Sequence, residues 1–429
     1  MSENSAEHVV VLGGGVIGAM CAWYLSEAGH RVTIVDQGKF GAACSHGNCG
    51  YICPSHVLPL AVPGAVRRSL RALLQPNSPF RIKPRISPAL WRWLLRFARL
   101  CNETDMLQTA RALHPLLQHS LRLYRELIES QALACEWQER GLLFVYASPR
   151  EFEHYAATDH LLREQFGMAA TPYDARQLVQ LEPALKPGLG GAWHYRGDCH
   201  LRPDKLMSEL RTHLAKRRVA VLEGIAVERL VADGGRARGL VGRVVRDSTS
   251  ENSSTIEGDA FVVATGAWAP FFARHLGCSI PIQPGKGYSL TMPAPALAPR
   301  IPLIFEEHRV AVTPMQTGYR LGSMMEFAGY DRSINRHRLS LLRSAAEHYL
   351  IEPYRDPVEE QWYGWRPMTW DSRPIIDRSP RYQNVWIAAG HSMLGLTLAT
   401  ATGKVIADLI DNRIPLVDPR PFSVARFGL

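Results

Sequence analysis

The sequence predicts an α/β protein, and three features of the chain support this fold class. A short β-branched run at 8–12 leads through a glycine-rich turn into a helix-patterned stretch at 16–28, followed by a second apolar run at 31–35. The apolar run at 260–264 resembles another buried strand, as in parallel sheets that are covered on both faces. Strand patterns then dominate from 281 to 364, which predicts a second sheet.

Length and composition exclude several classes of protein. The chain has 429 residues, enough for two or three domains. A hydrophobic fraction of 46% supports a sizeable core, so a mainly disordered chain is excluded. No uncharged apolar run reaches the roughly 18 residues of a membrane span. The first residues lack a signal-peptide pattern and the 8 cysteines are few, so we expect a cytoplasmic protein with reduced thiols.

The turn after the first apolar run has the pattern of a dinucleotide-binding loop. Gly13 permits a tight turn, Gly15 lets the backbone approach a pyrophosphate, and Gly18 allows close packing of helix on sheet. Asp36 ends the second apolar run, where a carboxylate can accept from ribose hydroxyls. The alternative is a glycine-rich turn that binds nothing.

Two later segments indicate that the dinucleotide is FAD rather than NAD. The run at 261–266 ends in Thr265-Gly266, and the segment 387–397 again reads as strand, glycine turn and helix. Three separated segments suit an extended cofactor such as FAD, and a helix start could stabilise negative charge near the flavin. The alternative for 387–397 is a simple strand-to-helix turn.

These motifs belong to a pattern that spans nearly the whole chain. The sequence resembles the D-amino-acid oxidase superfamily of FAD enzymes, and within it the bacterial D-amino-acid dehydrogenases. The motifs that carry the resemblance are VVVLGGGVIG and the segments 45–50, 197–201, 285–290, 320–326, 366–369 and 390–397. Cys49 stands where the family usually has a small, alanine-like residue.

The resemblance implies a Rossmann-like FAD-binding domain interleaved with an α+β substrate domain built on an antiparallel sheet. We expect 1–60, 196–275 and 366–429 to form the FAD-binding domain, and 61–195 and 276–365 to form the substrate domain. The residues expected to contact FAD are Gly13, Gly15, Val16, Ile17, Gly18, Asp36, Gln37, Ser45, Asn48, Gly50, Val227, Thr265, Gly266, Trp268, Gly390, His391, Leu394, Gly395, Leu396 and Thr397.

Three residues are expected to act on substrate. The resemblance implies that Arg366 pairs with a substrate carboxylate, which a planar guanidinium can hold bidentately. Tyr288 could bond the carboxylate or line the pocket, and His391 could contact flavin or substrate. The alternatives are a surface or interdomain arginine, a core tyrosine and a structural histidine. No general base stands out, and a substrate amine that binds neutral needs none.

The implied reaction is oxidative deamination of D-amino acids to 2-oxo acids, by hydride transfer from Cα to the flavin and onward transfer to an acceptor such as a quinone. The alternatives are a flavin subunit of a heteromeric enzyme acting on hydroxyproline, proline, opines or glycine, and a flavoprotein without catalysis. Cys44, Cys49 and Cys53 fit no common zinc spacing, so we expect no metal site.

Positive charge is concentrated in one part of the chain. The stretch 37–102 contains ten Lys and Arg side chains and no Asp or Glu, so the rest of a chain of net charge +9 sums to −1. Within it, 63–100 mixes arginine with Trp, Phe and Leu, as in a helix that lies on a membrane surface. This segment could provide peripheral contact with the inner face of the cytoplasmic membrane, a protein contact or a solvated surface; we expect no nucleic-acid binding.

Overall fold

A computed structural model describes residues 6–245 and 253–428. Most of the polar stretch 247–254, which the sequence predicts as a hairpin or loop, lies outside these residues. The helices are α1 (Val16–Glu27), α2 (Ala65–Leu73), α3 (Pro88–Arg99), α4 (Glu103–Gln131), α5 (Pro149–Phe166), α6 (Ala175–Leu181), α7 (Pro203–Lys216), α8 (Ala273–Leu276), α9 (Arg336–Tyr349) and α10 (Ala399–Ile410).

After α7 most strands follow one another without an intervening α-helix. The strands are β1 (His8–Leu12), β2 (Arg31–Asp36), β3 (Tyr51–Ile52), β4 (Phe80–Ile82), β5 (Leu142–Tyr146), β6 (Thr171–Asp174), β7 (Gly191–Tyr195), β8 (Cys199–His200), β9 (Ala220–Glu223), β10 (Ile225–Asp233), β11 (Arg236–Val244), β12 (Ser253–Glu257), β13 (Ala260–Val263), β14 (Gln283–Met292), β15 (Leu303–Phe305), β16 (Val310–Met315), β17 (Gly318–Phe327), β18 (Glu360–Met368), β19 (Ile375–Arg378) and β20 (Val385–Ala389).

The first sheet is the predicted nucleotide-binding sheet. Its strand order is β19-β20-β13-β1-β2-β9, and β19 alone among these runs antiparallel to its neighbour. Helices α1 and α10 pack together on this sheet, and nine of the twelve residues of α1 are buried. Burial on nearly all sides explains why the apolar residues of α1 do not form a single stripe.

The second sheet is larger and mostly antiparallel. Its order is β18-β14-β17-β16-β15-β5-β7-β6, with β4 added beside β17. Helix α9 packs against β14 and β17, and a second hydrophobic core lies between them. A three-stranded sheet, β10-β11-β12, completes a mixed architecture, so the predicted α/β class with an antiparallel substrate sheet is confirmed.

Three elements differ from the sequence prediction. Helix α4 begins at Glu103 instead of 107, because the Asn102 side chain caps it by accepting from Asp105 N. The proline-rich connector after α2 contains β4, which pairs with β17. Helix α10 begins at Ala399 instead of 396, since an irregular turn follows β20.

The long helix α4 links the two predicted domains. It lies within the predicted substrate segment 61–195, yet its inner face packs against α10. Ser120 Oγ lies 2.7 Å from Thr400 Oγ1, and Tyr124 OH donates to Leu396 O at 2.7 Å. The predicted division at 61 therefore separates residues that share one hydrophobic core.

Candidate active site

The turn between β1 and α1 requires glycine at two positions. Gly13 has φ +114°, and a Cβ there would lie 2.4 Å from the carbonyl oxygen of Ala264. A Cβ on Gly18 would lie 1.8 Å from the Gly13 oxygen. Both contacts are with backbone atoms, so a side chain at either position would force the strand and helix apart.

The amino end of α1 contacts the loop 45–50, one of the segments that the sequence analysis singled out. Ser45 is buried, and its hydroxyl oxygen accepts a hydrogen bond from Val16 N at 2.9 Å. Asn48 stabilises the same loop, since its side-chain oxygen accepts from Gly50 N at 2.8 Å. Gly15 precedes the helix as its N-cap residue and makes no side-chain capping bond, so the first-turn amides that follow Val16 N stay accessible to an anion.

Asp36 lies beside this turn. One carboxylate oxygen accepts from Gly14 N at 2.6 Å and the other from Gly38 N at 2.7 Å. Burial raises the pKa of the carboxyl group, and the two amide bonds oppose that rise. The carboxylate therefore organises the backbone around the crevice while it remains on the cavity wall.

The segment after β13 carries a polar atom without a partner. Thr265 Oγ1 is buried and makes no hydrogen bond with any described residue. Thr265 and Gly266 both line the cavity next to the glycine turn. A buried hydroxyl without a partner costs free energy, so its position favours a polar ligand atom in this crevice. The glycine turn, the free helix start and this hydroxyl together fit a dinucleotide such as FAD.

The turn after β20 brings His391 to the same cavity. Gly390 has φ +74°, and His391 Nε2 lies 3.0 Å from Thr402 Oγ1. Burial lowers the pKa of His391 to about 3, so the imidazole is neutral at neutral pH. Thr397 donates its hydroxyl to Tyr51 O at 3.0 Å, which ties this turn to β3. The predicted helix start is displaced to Ala399, so it does not directly follow Gly390.

Arg366 is a half-buried cation on the cavity wall. Its Nη1 donates to Met324 O at 2.7 Å, and the described residues offer it no carboxylate partner within ion-pair distance. Burial lowers the pKa of the guanidinium, and nearby Cys44 and Cys49 raise it. A guanidinium keeps its proton at neutral pH, so an unpaired positive charge faces the cavity.

Tyr288 lies in β14, and Arg366 lies in the neighbouring strand β18. Its hydroxyl donates to Glu326 Oε2 at 2.6 Å, and its ring belongs to the second hydrophobic core. Side chains alternate along a strand, and a side chain at the neighbouring Gly287 would meet Arg366. The Tyr288 hydroxyl is thus bonded to Glu326, while Tyr288 lines the same cavity as Arg366, so its contact with a substrate carboxylate stays a prediction.

The predicted site residues meet around one cavity of about 2580 Å³. Gly18 and Gly390 lie outside its wall and act through backbone packing. The predicted residues that line the cavity are Gly13, Gly15, Val16, Ile17, Asp36, Gln37, Ser45, Asn48, Gly50, Val227, Thr265, Gly266, Trp268, Tyr288, Arg366, His391, Leu394, Gly395, Leu396 and Thr397. A single drug-sized ligand needs roughly 300–1,000 Å³, so this cavity can hold more than one molecule.

An aromatic cluster on the cavity wall combines the predicted Trp268 with Trp365 and Tyr330, which the sequence analysis did not place in the site. Trp365 is buried, and its Nε1 has no partner among the described residues. Its ring lies 5.4 Å from that of Trp268 and 5.7 Å from that of Tyr330. These residues are far apart in sequence, so the only available signal was the position of Trp365 beside Arg366.

The three clustered cysteines lie near the cavity without forming a metal centre. In the ranges 6–245 and 253–428, no group of three His, Cys, Asp or Glu side chains could hold a metal ion. Burial raises the pKa values of Cys44, Cys49 and Cys53, so these thiols stay protonated at neutral pH.

Comparison with known proteins agrees with this geometry. Residues 8–409 match the family model of FAD dependent oxidoreductases (DAO). The chain is 33% identical over 428 residues to a D-amino acid dehydrogenase of Paramagnetospirillum magneticum, covering 98% of each protein, and 32% identical over 430 residues to one of Chromohalobacter salexigens, covering 98% of this chain and 99% of that one.

Solved structures support the fold. Glycine oxidase from Geobacillus kaustophilus aligns with a TM-score of 0.75 at 22% identity, covering 98% of this chain and 99% of that one. L-proline dehydrogenase from P. horikoshii aligns with a TM-score of 0.71 at 18% identity, covering 98% of each. The match across residues 8–409 and the glycine-turn crevice lead to one conclusion: the chain belongs to the DAO family of FAD-dependent oxidoreductases.

Proposed function

We propose that this protein oxidises D-amino acids to imino acids, which hydrolyse to 2-oxo acids and ammonia. The observation that carries the proposal is Arg366, a half-buried cation beside the flavin crevice that has no carboxylate partner among the described residues. An amino-acid carboxylate would supply the missing negative charge and accept two parallel hydrogen bonds. The names of the relatives support the D-amino-acid class.

The surrounding groups suit a neutral amine and a dry reaction site. His391 is uncharged, and the thiols of Cys44 and Cys49 are protonated, so none of these groups adds a second charge. Trp365 and Trp268 supply an apolar wall that excludes water from the Cα–H bond. FAD supplies the oxidising chemistry, because no protein side chain accepts a hydride. The work of the chain is therefore to orient Cα.

Anaerobic titration of the FAD-loaded protein tests this function. Adding D-alanine or another member of a D-amino-acid panel should bleach the visible absorption of the oxidised flavin, and the L-enantiomers should not. Arg366→Ala should retain bound FAD but reduce it far more slowly. Failure of every D-amino acid to bleach the wild-type flavin would exclude this substrate class.

We also propose that the electrons pass to an acceptor at a membrane surface. Helices α2 and α3 expose large apolar side chains to solvent, namely Leu70 (60%), Leu74 (85%), Trp91 (58%) and Leu95 (62%). We call these residues, with the arginines beside them, the α2–α3 surface. Scattered apolar residues are normal, but a cluster on adjacent helices is typical of an interaction site.

The charges on the α2–α3 surface favour an anionic bilayer as its partner. Arg67, Arg71, Arg92 and Arg96 make no ion pair with any described residue. Each such side chain near anionic lipid contributes about 1 kcal/mol to binding. No described helix is long and apolar enough to cross a membrane. The same cavity that holds the flavin crevice extends under α2 and α3, which supports access by a lipid-borne quinone.

Vesicle sedimentation tests the membrane contact separately from catalysis. The holoenzyme should sediment with vesicles of phosphatidylglycerol and phosphatidylcholine, and release should increase with salt. Replacing Arg67, Arg71, Arg92 and Arg96 with Gln should abolish sedimentation and leave turnover with an artificial acceptor unchanged.

A matched variant controls for the general loss of positive charge. It replaces four exposed arginines elsewhere on the surface, Arg150, Arg229, Arg236 and Arg355, with Gln. This control should sediment like the wild type. Equal loss in both variants, or no wild-type binding to anionic vesicles, would contradict the membrane contact.

A further inference from the structure

Gly287 lies against the face of the Arg366 guanidinium. An ideal Cβ at Gly287 would lie 2.4 Å from Nη1, 2.6 Å from Cζ and 2.6 Å from Nη2 of Arg366. Nearly equal distances to the carbon and both nitrogens place that point above the plane of the group. Gly287 pairs with Gly364 of β18, so the fork crosses a strip of sheet without side chains.

A bulge in β17 supplies the hydrogen-bond partner of the fork. The pairing of β14 with β17 shifts by one residue between Tyr288 and Lys286, which places an extra β17 residue opposite Gly287. Ser323 and Met324 have φ values of +116° and +62°, a conformation that side-chain-bearing residues rarely adopt. Such bulges re-aim groups beside active sites, and here the Met324 carbonyl accepts from Arg366 Nη1 at 2.7 Å.

We propose that Gly287 is a positioning residue for substrate recognition, since its missing side chain lets the Arg366 fork lie across β14 and reach the Met324 carbonyl. The inference rests on the proposed role of Arg366 as the carboxylate anchor. One nitrogen is fixed on the Met324 oxygen, so the other edge of the fork is presented to the cavity in one orientation. Gly287 and the bulge act only through Arg366.

Gly285 provides a matched control in the same strand. It faces the same side of β14 two residues away, and a Cβ there would lie 2.6 Å from Met325 Sδ and 2.7 Å from Met368 Cγ. A Cβ added at either glycine would press on atoms near the end of a flexible side chain. Gly285 pairs with Arg366 across β14 and β18, but the nearest atoms to its Cβ belong to the two methionines and not to the guanidinium. The two Gly→Ala changes therefore differ mainly in whether the new methyl group meets the guanidinium.

The test combines kinetics with a ligand that cannot react. In Gly287→Ala we expect KM for D-alanine and Kd for propanoate, measured from the flavin spectrum, to rise together by about tenfold or more. We expect kcat to change much less and the melting temperature to stay near that of Gly285→Ala, whose KM and Kd should match the wild type. Equal effects of the two alanine variants would overturn the proposal.

A double-mutant cycle with Arg366→Lys separates positioning from damage to the sheet. Lysine has no planar group over position 287, so Gly287→Ala should add little once Arg366 is lysine. If Gly287→Ala alone fails to fold or loses FAD, adding Arg366→Lys should restore both. Additive effects, or failure to restore, would contradict the proposal. A wild-type protein that binds propanoate but oxidises no D-amino acid would contradict the proposed function instead.

Discussion

The two ends of the cavity are built in different ways. The nucleotide end comprises the turn 13–18 and Asp36. It is built mainly from backbone amides and from glycines whose missing side chains leave room for close packing. At the substrate end, a single side chain, Arg366, supplies the charge, and remote strands hold it in position. The first end is encoded by neighbouring residues and the second by strand register.

This difference also sets the energetic cost of each end. Backbone amides at a helix start are neutral donors that water or a ligand can satisfy. The half-buried Arg366 guanidinium carries a desolvation penalty that its bond to the Met324 carbonyl offsets in part and an anion would offset further. The nucleotide end is thus sensitive to added volume, and the substrate end is sensitive to lost charge.

Adding one methyl group at the nucleotide end should have the broadest effect, because it should remove both stability and bound cofactor. In Gly18→Ala the new Cβ would meet the Gly13 oxygen at 1.8 Å, and neither backbone segment can move freely. We expect a loss of about 3 kcal/mol or more in the free energy of unfolding and purified protein without flavin absorption. Gly38→Ala, whose Cβ would lie 3.5 Å from Asp36 Oδ1, should retain FAD; equal loss in both would remove the packing argument.

Removing charge at the substrate end should leave the nucleotide end intact. Arg366→Ala should lower kcat/KM for D-amino acids by about 10²–10³-fold, corresponding to roughly 3–4 kcal/mol for the lost ion pair and its hydrogen bonds. The amount of bound FAD should equal that of the wild type. Steady-state kinetics and the ratio of flavin to protein absorption check both expectations, and joint loss would mean that the two ends are not separable.

The buried carboxyl group of Asp198, which is bonded to Ser55, should make stability depend on pH. Burial raises the pKa of Asp198 to about 7, while Ser55 N donates to its Oδ1 at 3.2 Å. Between about pH 4 and pH 7 the folded state holds a proton that the unfolded state has lost. The free energy of unfolding should therefore fall as pH rises through this window, by about 4 kcal/mol.

Asp198→Asn keeps the shape and removes the titration. Its unfolding free energy should vary less than that of the wild type between pH 4 and pH 7, and above pH 7 it should be the more stable protein. Denaturant titrations at several pH values measure this. Parallel curves for the two proteins would show that Asp198 does not titrate in the folded state as its burial implies.

The smallest effect is expected from one hydroxyl at the nucleotide end. Ser45→Ala removes the acceptor for Val16 N, which water or a cofactor phosphate can partly replace. We expect FAD binding to weaken by about 1 kcal/mol, which is a few-fold rise in Kd. Ser26→Ala, which removes a hydroxyl bonded to Trp23 O at the far end of α1, should leave that Kd unchanged.

The sequence predicts the nucleotide end well because its signals are local. Strand, glycine turn, helix and Asp36 follow one another within one short segment, so their spacing alone predicts the crevice. The resemblance then adds Arg366, which short-range spacing could not have singled out from the other arginines. The α/β class and the second sheet also follow from local hydrophobic patterns.

The remaining features depend on long-range register. The bulge at Ser323 and Met324 exists only because β14 and β17 pair with a one-residue shift, and no short motif specifies that shift. Tyr288 follows a glycine-rich motif, which suggested a ligand contact, but strand alternation turns its hydroxyl to Glu326. Hydrophobic periodicity likewise could not predict that α4 packs on α10, because it shows only that one face of a helix is apolar and not what covers it.

That shared core limits how ligands can come and go. The largest hydrophobic core runs without interruption from β1 and α1 through α4 and α10 to Phe144 and Trp193 of the second sheet. A hinge that swung the sheets apart would tear this core and the Ser120–Thr400 contact. Ligand entry and release must therefore rely on local displacement of peripheral segments. Turnover should tolerate a covalent cross-link between α4 and α10.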